Sequence, residues 1–359
     1  DCFAGCRYAF FLQYGLRALP WKQAEFDAPL FGSFVHDVLE HVVREAQSQG
    51  GFAALTDAQV AALTERCMDA CMQTYLPQGD ARASREGYLS TRNRQEAAAV
   101  VLDVARELRL SQFTPAAEEL TFAPGGQMPP IVYHASRGDG LLTGKIDRVD
   151  TYEKDGTTYF RIVDYKTGRK DFSYTDLLYG KDLQMLLYLF ALQENQKKSG
   201  HPMQPAGALY VPGRCDMIRL EPGEDAGEAD AERRKQLRRK GLVLQDEAIL
   251  QAMEHYDGEP QYLPVQLKKD GLTGDLATPA QLAALERFVT GQVAAMIDEI
   301  LSGKTQPNPV DRGPADSACR WCDYSSACHK DVCAVSPRRF AAVKADEFWQ
   351  EIERRQRHG

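Results

Sequence analysis

Residues 144–166 constrain the fold of this chain more tightly than any other stretch. Two runs with alternating apolar residues, GKIDRVD and YFRIVDYK, lie on either side of the dipeptide Asp155-Gly156. Asp-Gly is typical of a two-residue β-hairpin turn, because both residues tolerate positive φ. With the turn centred there, residues whose numbers sum to 311 lie opposite each other, so Asp147 faces Asp164. Opposed side chains share a face, and Lys166 shares it too because strand side chains alternate.

Two carboxylates and one ammonium on a single patch predict a bound cation, because adjacent carboxylates repel each other. Oxygen ligands with open positions suit Mg²⁺ or Mn²⁺, which keep several waters and bind phosphate oxygens. A neighbouring lysine can orient the attacking water and offset charge that develops on a phosphorane. The alternative is an exposed hairpin face with a salt-bridged Asp/Lys pair, since roughly one D-x-K arises by chance in a chain of this length.

The composition is that of a soluble globular protein. Of the 359 residues 43% are hydrophobic, and the net charge is −8. No run approaches the ~18–20 apolar residues of a membrane span and no signal peptide is visible, so we expect a cytoplasmic location and no membrane partner. The negative charge argues against a protein that coats polyanions, but it is compatible with a local basic channel. Because the first residue is Asp1, we expect a fragment of a longer chain.

The segment that begins at Gly32 predicts a helix with a broad apolar face. His36 and Glu40 lie one turn apart on the flank of that face. Alone, His36 is better explained as a packed histidine, but beside the predicted hairpin we favour an additional metal ligand or a buttress of the site. Further helices are predicted over 56–76, 91–110, 177–195 and 279–303, and a buried strand over 206–211.

Three further polar groups bear on the site. Gln184 and Tyr188 lie one helical turn apart directly after the D-x-K strand, where they could hydrogen-bond the lysine or a phosphate. Glu119, in the run EELTF, could contact the site, but we favour its interpretation as a surface residue.

An acidic segment, 221–232, is expected to be mobile and is followed by the basic run RRKQLRRK at 233–240. Two interpretations of the basic run stay open, namely contact with a nucleic-acid backbone and a solvated helix. GLLTGK at 140–145 is one residue short of a P-loop, and Ile146 stands where Mg²⁺ would need Ser or Thr. ATP hydrolysis is therefore not expected of this chain.

The cysteines are unevenly placed, with four of nine in the last 41 residues. Cys319, Cys322 and Cys328 have the spacing C-x2-C-x5-C, which in a chain without secretory features suggests a metal or iron–sulfur site. A fourth ligand could be Cys333 or an N-terminal cysteine, and zinc is the generic alternative. Cys67 and Cys71 are interpreted as core thiols.

Taken together, these motifs resemble the RecB-type branch of the PD-(D/E)xK nucleases. The resemblance rests on G-x3-H-x3-E from Gly32, GKIDRVD, IVDYKTG and Q-x3-Y from Gln184. CRYAFFLQYGL from Cys6 and the C-terminal C-x2-C-x5-C resemble the iron–sulfur staple of the AddB subunits of bacterial AddAB helicase–nucleases. RRKGLVLQDEAILQAMEH at 238–255 and LPVQLKKDG at 263–271 are similar to the same subunits.

The resemblance implies an α/β fold with a restriction-endonuclease-like core, in which helices flank a central mixed sheet and an iron–sulfur staple joins the N- and C-terminal segments. It implies a nuclease domain over 1–333 and a charged helical tail over 334–359. Within the domain the expected parts are the staple (1–30 and 304–333), the catalytic core (31–215), and a helical insertion with a long helix (216–303).

The resemblance also implies roles for individual residues. His36, Asp147, Asp164 and the backbone carbonyl of Tyr165 would hold Mg²⁺ or Mn²⁺. Lys166 would position or activate the water, and Gln184 and Tyr188 would support the lysine and the DNA. The ligands of a structural 4Fe–4S cluster would be Cys6, Cys319, Cys322 and Cys328. Arg7 stands where the family commonly has proline, which leaves Cys2 as a competitor for Cys6.

The implied activity is that of a DNA exonuclease that cuts the 5′-ended strand during double-strand break processing for homologous recombination. The implied partners are single-stranded DNA, DNA ends and the AddA helicase–nuclease subunit. Two alternatives stay open: a standalone or CRISPR-adaptation-type iron–sulfur exonuclease, and a non-catalytic cluster-bearing DNA-binding module.

Overall fold

The computed structural model describes residues 1–19, 28–75, 85–214, 226–269, 271–313, 316–330 and 336–358. The helices are α1 (Cys2–Gly5), α2 (Arg7–Phe10), α3 (Ala28–Ser48), α4 (Asp57–Tyr75), α5 (Arg85–Leu110), α6 (Tyr174–Leu178), α7 (Gln184–Lys198), α8 (Ala226–Leu237), α9 (Glu247–Met253), α10 (Pro279–Leu301), α11 (Ser325–Cys328) and α12 (Ala345–His358). The strands are β1 (Thr114–Phe122), β2 (Ile131–Ala135), β3 (Gly138–Leu142), β4 (Gly144–Lys154), β5 (Thr157–Lys166), β6 (Met203–Pro212), β7 (Lys240–Leu244), β8 (Val265–Lys268), β9 (Gly271–Gly274) and β10 (Leu276–Ala277).

A six-stranded mixed sheet forms the centre of the molecule, in the order β1-β4-β5-β6-β7-β10. The pairs β5–β6 and β7–β10 are parallel, and the other neighbours are antiparallel. Helices α3, α4 and α5 cover one face, where they pack with Val163, Tyr165 and Val211. Helices α7, α9, α10 and α12 contribute to the core that contains Phe160 and Ile162. The predicted α/β fold, a central mixed sheet flanked by helices, is confirmed.

The hairpin of β4 and β5 has the register expected from the sequence. Lys154 pairs with Thr157 and Arg148 with Val163, and both pairs of numbers sum to 311. The two turn residues have positive φ, 51° at Asp155 and 76° at Gly156, as a two-residue hairpin turn requires. The ladder ends at Arg148, and beyond it the Asp147 carboxylate accepts a hydrogen bond from the Tyr165 N–H at 2.8 Å.

The segment 216–303 corrects the expectation of a helical insertion. Besides helices α8 to α10 it contains four strands, and two of them, β7 and β10, extend the central sheet. The physical reason lies in the run GLVL at 241–244, whose residues are all buried as in a strand covered on both sides. Residues 221–225 of the acidic segment lie outside the described residues, and the rest of that segment belongs to α8.

Other boundaries differ from the sequence prediction. The helix expected from Gly32 begins at Ala28. The one expected over 177–195 is broken between α6 and α7, where Gly180 and Asp182 have φ of 80° and 56°. The C-terminal tail is helical only from Ala345, and it is not a solvated appendage because Phe348, Trp349 and Ile352 are buried in the main core.

The two ends of the described chain meet. The N–H of Val310 donates to the carbonyl of Gly5 at 2.9 Å, and the N–H of Arg7 donates to Asn308 Oδ1 at 3.1 Å. The guanidinium of Arg338 donates to the carbonyl of Ala4. Backbone and side-chain hydrogen bonds therefore hold the N-terminal helices against the segment that carries the C-terminal cysteines.

Among the described residues, every helix is too short or too polar to cross a membrane.

Candidate functional site

The three charged residues predicted from the hairpin lie together at its open end. Asp147 and Asp164 are 8% and 5% exposed, and Lys166 Nζ lies 2.6 Å from Asp164 Oδ2. Burial and the neighbouring Asp147 carboxylate raise the pKa of Asp164, while the charges of Lys166 and His36 act in the opposite direction. Two mutually repelling, partly desolvated carboxylates are the arrangement expected of a cation site.

His36 reaches this site from α3. Its Nδ1 lies 3.4 Å from Asp147 Oδ2, and its Nε2 lies 2.7 Å from the carbonyl oxygen of Tyr165. Burial alone would lower the pKa of His36, but the Asp147 carboxylate, the Tyr165 carbonyl and the Asp164 charge raise it above its ordinary value. The structure therefore brings together the imidazole, the carboxylates and the backbone carbonyl that the sequence resemblance implied as ligands.

Glu119 corrects one expectation, because it faces the site instead of being an unrelated surface residue. Ligand atoms of His36, Glu119 and Asp147 lie within 4.8 Å of one another. Glu119 has φ of 53°, which costs a non-glycine residue about 1–2 kcal/mol, and it forms an ion pair with Lys145. A shift of strand register between Pro115 and Ala117 precedes it on β1. No sequence pattern predicted the register shift or the positive φ of Glu119. The position of EELTF shortly before the hairpin was only compatible with a place near the site.

Gln184 and Tyr188 lie on α7, where Gln184 Nε2 donates to Tyr188 Oη at 3.4 Å. The Tyr188 ring stacks on Phe122 with centroids 6.2 Å apart. A Cβ atom on Gly144 would lie only 2.0 Å from Tyr188 Oη, so this hydroxyl sits against the start of β4. No hydrogen bond joins either side chain to Lys166 within the described chain. Gln184 and Tyr188 therefore do not form the expected hydrogen bonds with Lys166 in the described part of the chain. The two side chains instead form a wall beside β4.

A buried charge network lies behind the site, and the sequence analysis missed it. Arg148 and Arg161 are fully buried and both bind Asp150, through Arg148 Nε at 2.8 Å and Arg161 Nε at 2.8 Å. Arg148 Nη1 also donates to Tyr165 Oη at 2.7 Å. The network therefore fixes the side chain of Tyr165, whose carbonyl contacts His36 and whose N–H donates to Asp147.

The same network continues to α5. Glu107 Oε2 accepts hydrogen bonds from Arg239 Nε at 3.0 Å and Nη2 at 2.7 Å, while Glu107 Oε1 lies 3.1 Å from Arg161 Nη2. Asp103 is a second carboxylate partner of Arg239. Arg239 belongs to the basic run 233–240, so part of that run is neither a solvated helix nor a nucleic-acid contact. The signal available in the sequence was an Arg-x-Asp pair, Arg148 and Asp150, on either side of the apolar Val149 in a predicted strand.

The four cysteines expected to hold a cluster lie close together, apart from the hairpin. Cys6, Cys319, Cys322 and Cys328 all line one cavity where the chain ends meet. Burial and the neighbouring Cys6 and Cys319 thiols raise the pKa of Cys322. Cys2 does not line this cavity, and its thiol lies 3.4 Å from Gln13 Oε1.

The remaining cysteines do not join this group within the described residues. Cys67 and Cys71 lie on α4, with Cys71 buried in the helical core and Cys67 packed against it, as predicted for core thiols. Cys333 lies outside the described residues.

Comparisons with known proteins identify the family of the chain. The profile of the PD-(D/E)XK nuclease superfamily matches residues 1–329. The AddB subunit of the ATP-dependent helicase/deoxyribonuclease of Thermoanaerobacter sp. (strain X514) is 31% identical over 365 residues, which cover 98% of this chain and 31% of that protein. The proteins of the same name from Acetivibrio thermocellus and Clostridium kluyveri are 31% and 30% identical, over 97% and 98% of this chain and 31% of each relative. The chain spans about a third of the length of these relatives.

Proposed function

The chain belongs to the PD-(D/E)XK nuclease superfamily, and we propose that it is a metal-dependent deoxyribonuclease domain of a helicase–nuclease complex. The observation that carries the proposal is the convergence of Asp147, Asp164, Lys166 and His36 at the open end of one hairpin. A non-catalytic module would not need to keep two repelling carboxylates and a lysine together in a partly desolvated site.

The residues present fit a divalent cation of the magnesium type. Imidazole nitrogen, carboxylate oxygens and a backbone carbonyl are a hard, mostly oxygen donor set. His36, Asp147, Asp164 and the Tyr165 carbonyl would hold Mg²⁺ or Mn²⁺. Glu119 would join them through its position within 4.8 Å of ligand atoms of His36 and Asp147. When bound, such an ion supplies Lewis-acid polarisation of a phosphate and a more acidic water.

The side chains around the metal site have separate roles in this proposal. Lys166, held by Asp164 at 2.6 Å, is placed to orient the attacking water and to offset charge on the phosphate. Tyr165 is fixed through its hydroxyl by Arg148 and through its N–H by Asp147, so that its carbonyl keeps one direction. Gln184 and Tyr188 form the wall beside β4 and would contact the DNA, not the lysine.

The substrate and partner are inferred from the relatives. Their name describes one subunit of an ATP-dependent helicase/deoxyribonuclease. We infer that this domain hydrolyses phosphodiester bonds of single-stranded DNA, on the 5′-ended strand at double-strand breaks processed for recombination. The helicase–nuclease partner would be an AddA-type protein.

A cleavage assay with a matched lysine control tests the nuclease proposal. Single-stranded DNA labelled at either the 5′ or the 3′ end is incubated with the protein and Mg²⁺, or with EDTA. We expect Mg²⁺-dependent degradation that Lys166→Met abolishes and Lys154→Met, on the same hairpin next to the turn, leaves intact. Degradation by Lys166→Met at the wild-type rate, or wild-type degradation in EDTA, would contradict the proposal.

A 4Fe–4S cluster is the second part of the proposal. Four thiols from both ends of the chain line one cavity. A cluster there would join residue 6 to residues 319–328. Bringing these segments together is otherwise entropically costly because the loop between them is long. Protein purified without oxygen should contain about four irons per chain. We expect Cys6→Ser to lose the iron and Cys2→Ser to keep it. Zinc in place of iron, or iron retained by Cys6→Ser and lost by Cys2→Ser, would overturn this ligand set.

A further inference from the structure

A cavity of about 310 Å³ opens directly beside the proposed catalytic lysine. Four separate chain segments line it: the turn after β5, the end of β6, helix α8 and the start of β7. We call it the basic cavity because six of its lining side chains are cationic. These residues are Lys166, Arg169, Lys170, Arg214, Lys235 and Lys240.

The position of the basic cavity is that of a ligand site in an α/β sheet. β5 and β6 are parallel, and their carboxyl ends meet where Lys166 pairs with Pro212. β7 then runs antiparallel to β6, so the direction of the sheet changes at this edge. Ligands of open α/β sheets bind in the crevice outside the carboxyl ends of the strands, and the carboxyl ends of β5 and β6 lie at the basic cavity. Lys166 lines the basic cavity and also contacts Asp164, so the cavity adjoins the proposed catalytic site.

Lys235 and Lys240 are the cations of the cavity whose ion pairs a bound anion can replace. The other cations with a carboxylate partner among the described residues are paired with less exposed acids: Lys166–Asp164, Lys170–Asp182 and Arg214–Glu96. Asp171 and Glu232 are the acids that line it. Lys240 Nζ lies 3.7 Å from Asp171 and Lys235 Nζ lies 3.3 Å from Glu232, but these carboxylates are 70% and 47% exposed. Ion pairs this open to water contribute less than about 1 kcal/mol. Phosphate groups can therefore replace the two carboxylates at little cost.

Two further groups distinguish the cavity from a merely charged surface. The ring of Tyr210, which is 6% exposed, forms part of the wall, and Lys170 Nζ lies 5.6 Å from its centroid. Gln236 Oε1 is buried at the wall and has no hydrogen-bond partner among the described residues. A buried amide without a partner is destabilising, and a bound polar ligand would remove that cost.

We propose that the basic cavity binds the phosphates of the single strand adjacent to the phosphodiester that is cut. Lys235 and Lys240 neutralise strand phosphates, while the Gln236 amide and the Tyr210 wall contact the sugar or the base. The inference rests on the proposed nuclease function for the identity of the strand, but binding itself requires no cleavage. In this arrangement the cavity holds the strand in place relative to Asp147 and Asp164.

Salt-dependent binding of the double variant Lys235→Gln/Lys240→Gln tests the inference. Fluorescence anisotropy of a labelled oligothymidine is measured without divalent metal, so that cleavage cannot occur, over a series of KCl concentrations. For single strands each lost phosphate contact flattens the slope of log K against log salt by about 0.7, so two lost contacts flatten it by about 1.4 and weaken binding about 25-fold at 0.1 M salt.

The matched control is Lys197→Gln/Lys198→Gln, which removes the same charge at the end of α7. That end precedes the start of β6, whereas the basic cavity lies at the end of β6, roughly 30 Å away at about 3.3 Å per strand residue. We expect the control to bind as the wild type does. Circular dichroism of both variants verifies that they are folded.

The outcomes separate this inference from the nuclease proposal. An affinity and slope of Lys235→Gln/Lys240→Gln equal to those of the control overturn the inference, whether or not the wild type cleaves DNA. Weakened binding combined with a wild type that cleaves nothing supports the cavity and contradicts the nuclease. Competition by inorganic phosphate as effective as competition by unlabelled strand, at equal phosphate concentration, would identify a small-anion site and also overturn the inference.

Discussion

Replacing Glu107 with Gln should destabilise the fold by breaking the buried network behind the site. Glu107 Oε2 accepts hydrogen bonds from two nitrogens of Arg239, and Glu107 Oε1 forms an ion pair with Arg161 Nη2 at 3.1 Å. A glutamine amide has only one oxygen, so its NH₂ group must face a guanidinium donor. The substitution therefore leaves a donor against a donor and removes one of the three negative charges that balance Arg148, Arg161 and Arg239.

The pKa of Glu107 gives the size of the effect. Burial alone would raise it, but the guanidinium groups of Arg239, Arg161 and Arg148 lower it from 4.5 to about 2. At 1.36 kcal/mol per pKa unit, this difference corresponds to about 3 kcal/mol of stabilisation by the charged form. With an unfolding entropy of about 2.1 cal/mol/K per residue over 359 residues, the melting temperature should fall by about 4 °C.

Thermal unfolding followed by circular dichroism, at equal iron content, measures this difference. Because the folded-state pKa of Glu107 is depressed, its contribution is fully present above pH 4.5 and is lost as the pH falls toward 2. The difference in melting temperature between the wild type and Glu107→Gln should thus be constant from pH 7 to about 5.5 and become smaller below pH 4.5.

Asp103→Asn is the matched control. It removes another carboxylate partner of Arg239, but burial outweighs that attraction and raises the pKa of Asp103. Its loss should therefore lower the melting temperature less than the loss of Glu107 does. An equal or larger effect of Asp103→Asn, or no effect of Glu107→Gln at pH 7, would refute the reasoning.

Two further predictions concern the walls of the site. Glu119→Gln should weaken Mn²⁺ binding, measured by calorimetry, because it removes a carboxylate from the cluster. The loss should be at least the roughly 10–100-fold typical of losing an outer-shell partner, whereas Glu118→Gln on the same strand should leave the affinity unchanged. Equal affinities of the two variants would exclude Glu119 from the metal site. Gly144→Ala should lower the free energy of unfolding by about 1–3 kcal/mol, because the new methyl group would lie 2.0 Å from Tyr188 Oη. Adding Tyr188→Leu should restore part of this free energy, measured by urea denaturation. Strictly additive losses in the double variant would contradict the clash.

The core of the site could be predicted because a local signal determines it. Asp155 and Gly156 adopt the positive φ angles that their residue types allow, and the strand register follows from that turn. That register alone brings Asp147 and Asp164 to the same end of the hairpin, although the ladder itself ends at Arg148. The same period-two pattern places Lys166 beside them.

Other features depend on long-range contacts that a single sequence does not display. Glu119 reaches the site through an irregular strand and a strained φ, which only the assembled sheet makes favourable. Arg148 and Arg161 look like surface charges until α5 supplies Glu107 from a distant part of the chain. Two corrections had a readable signal, since GLVL at 241–244 is an apolar strand pattern and Phe348, Trp349 and Ile352 have helical spacing.

The most direct test of the metal-dependent cleavage site compares Asp147→Asn and Asp164→Asn with Asp155→Asn, which changes an aspartate of the same hairpin at the turn. Each variant is assayed for Mn²⁺ binding by calorimetry and for Mg²⁺-dependent degradation of labelled single-stranded DNA. We predict that Asp147→Asn and Asp164→Asn lose both metal binding and cleavage while staying folded, and that Asp155→Asn retains both. Cleavage at the wild-type rate by Asp147→Asn or Asp164→Asn would contradict the assignment of this hairpin as the catalytic site.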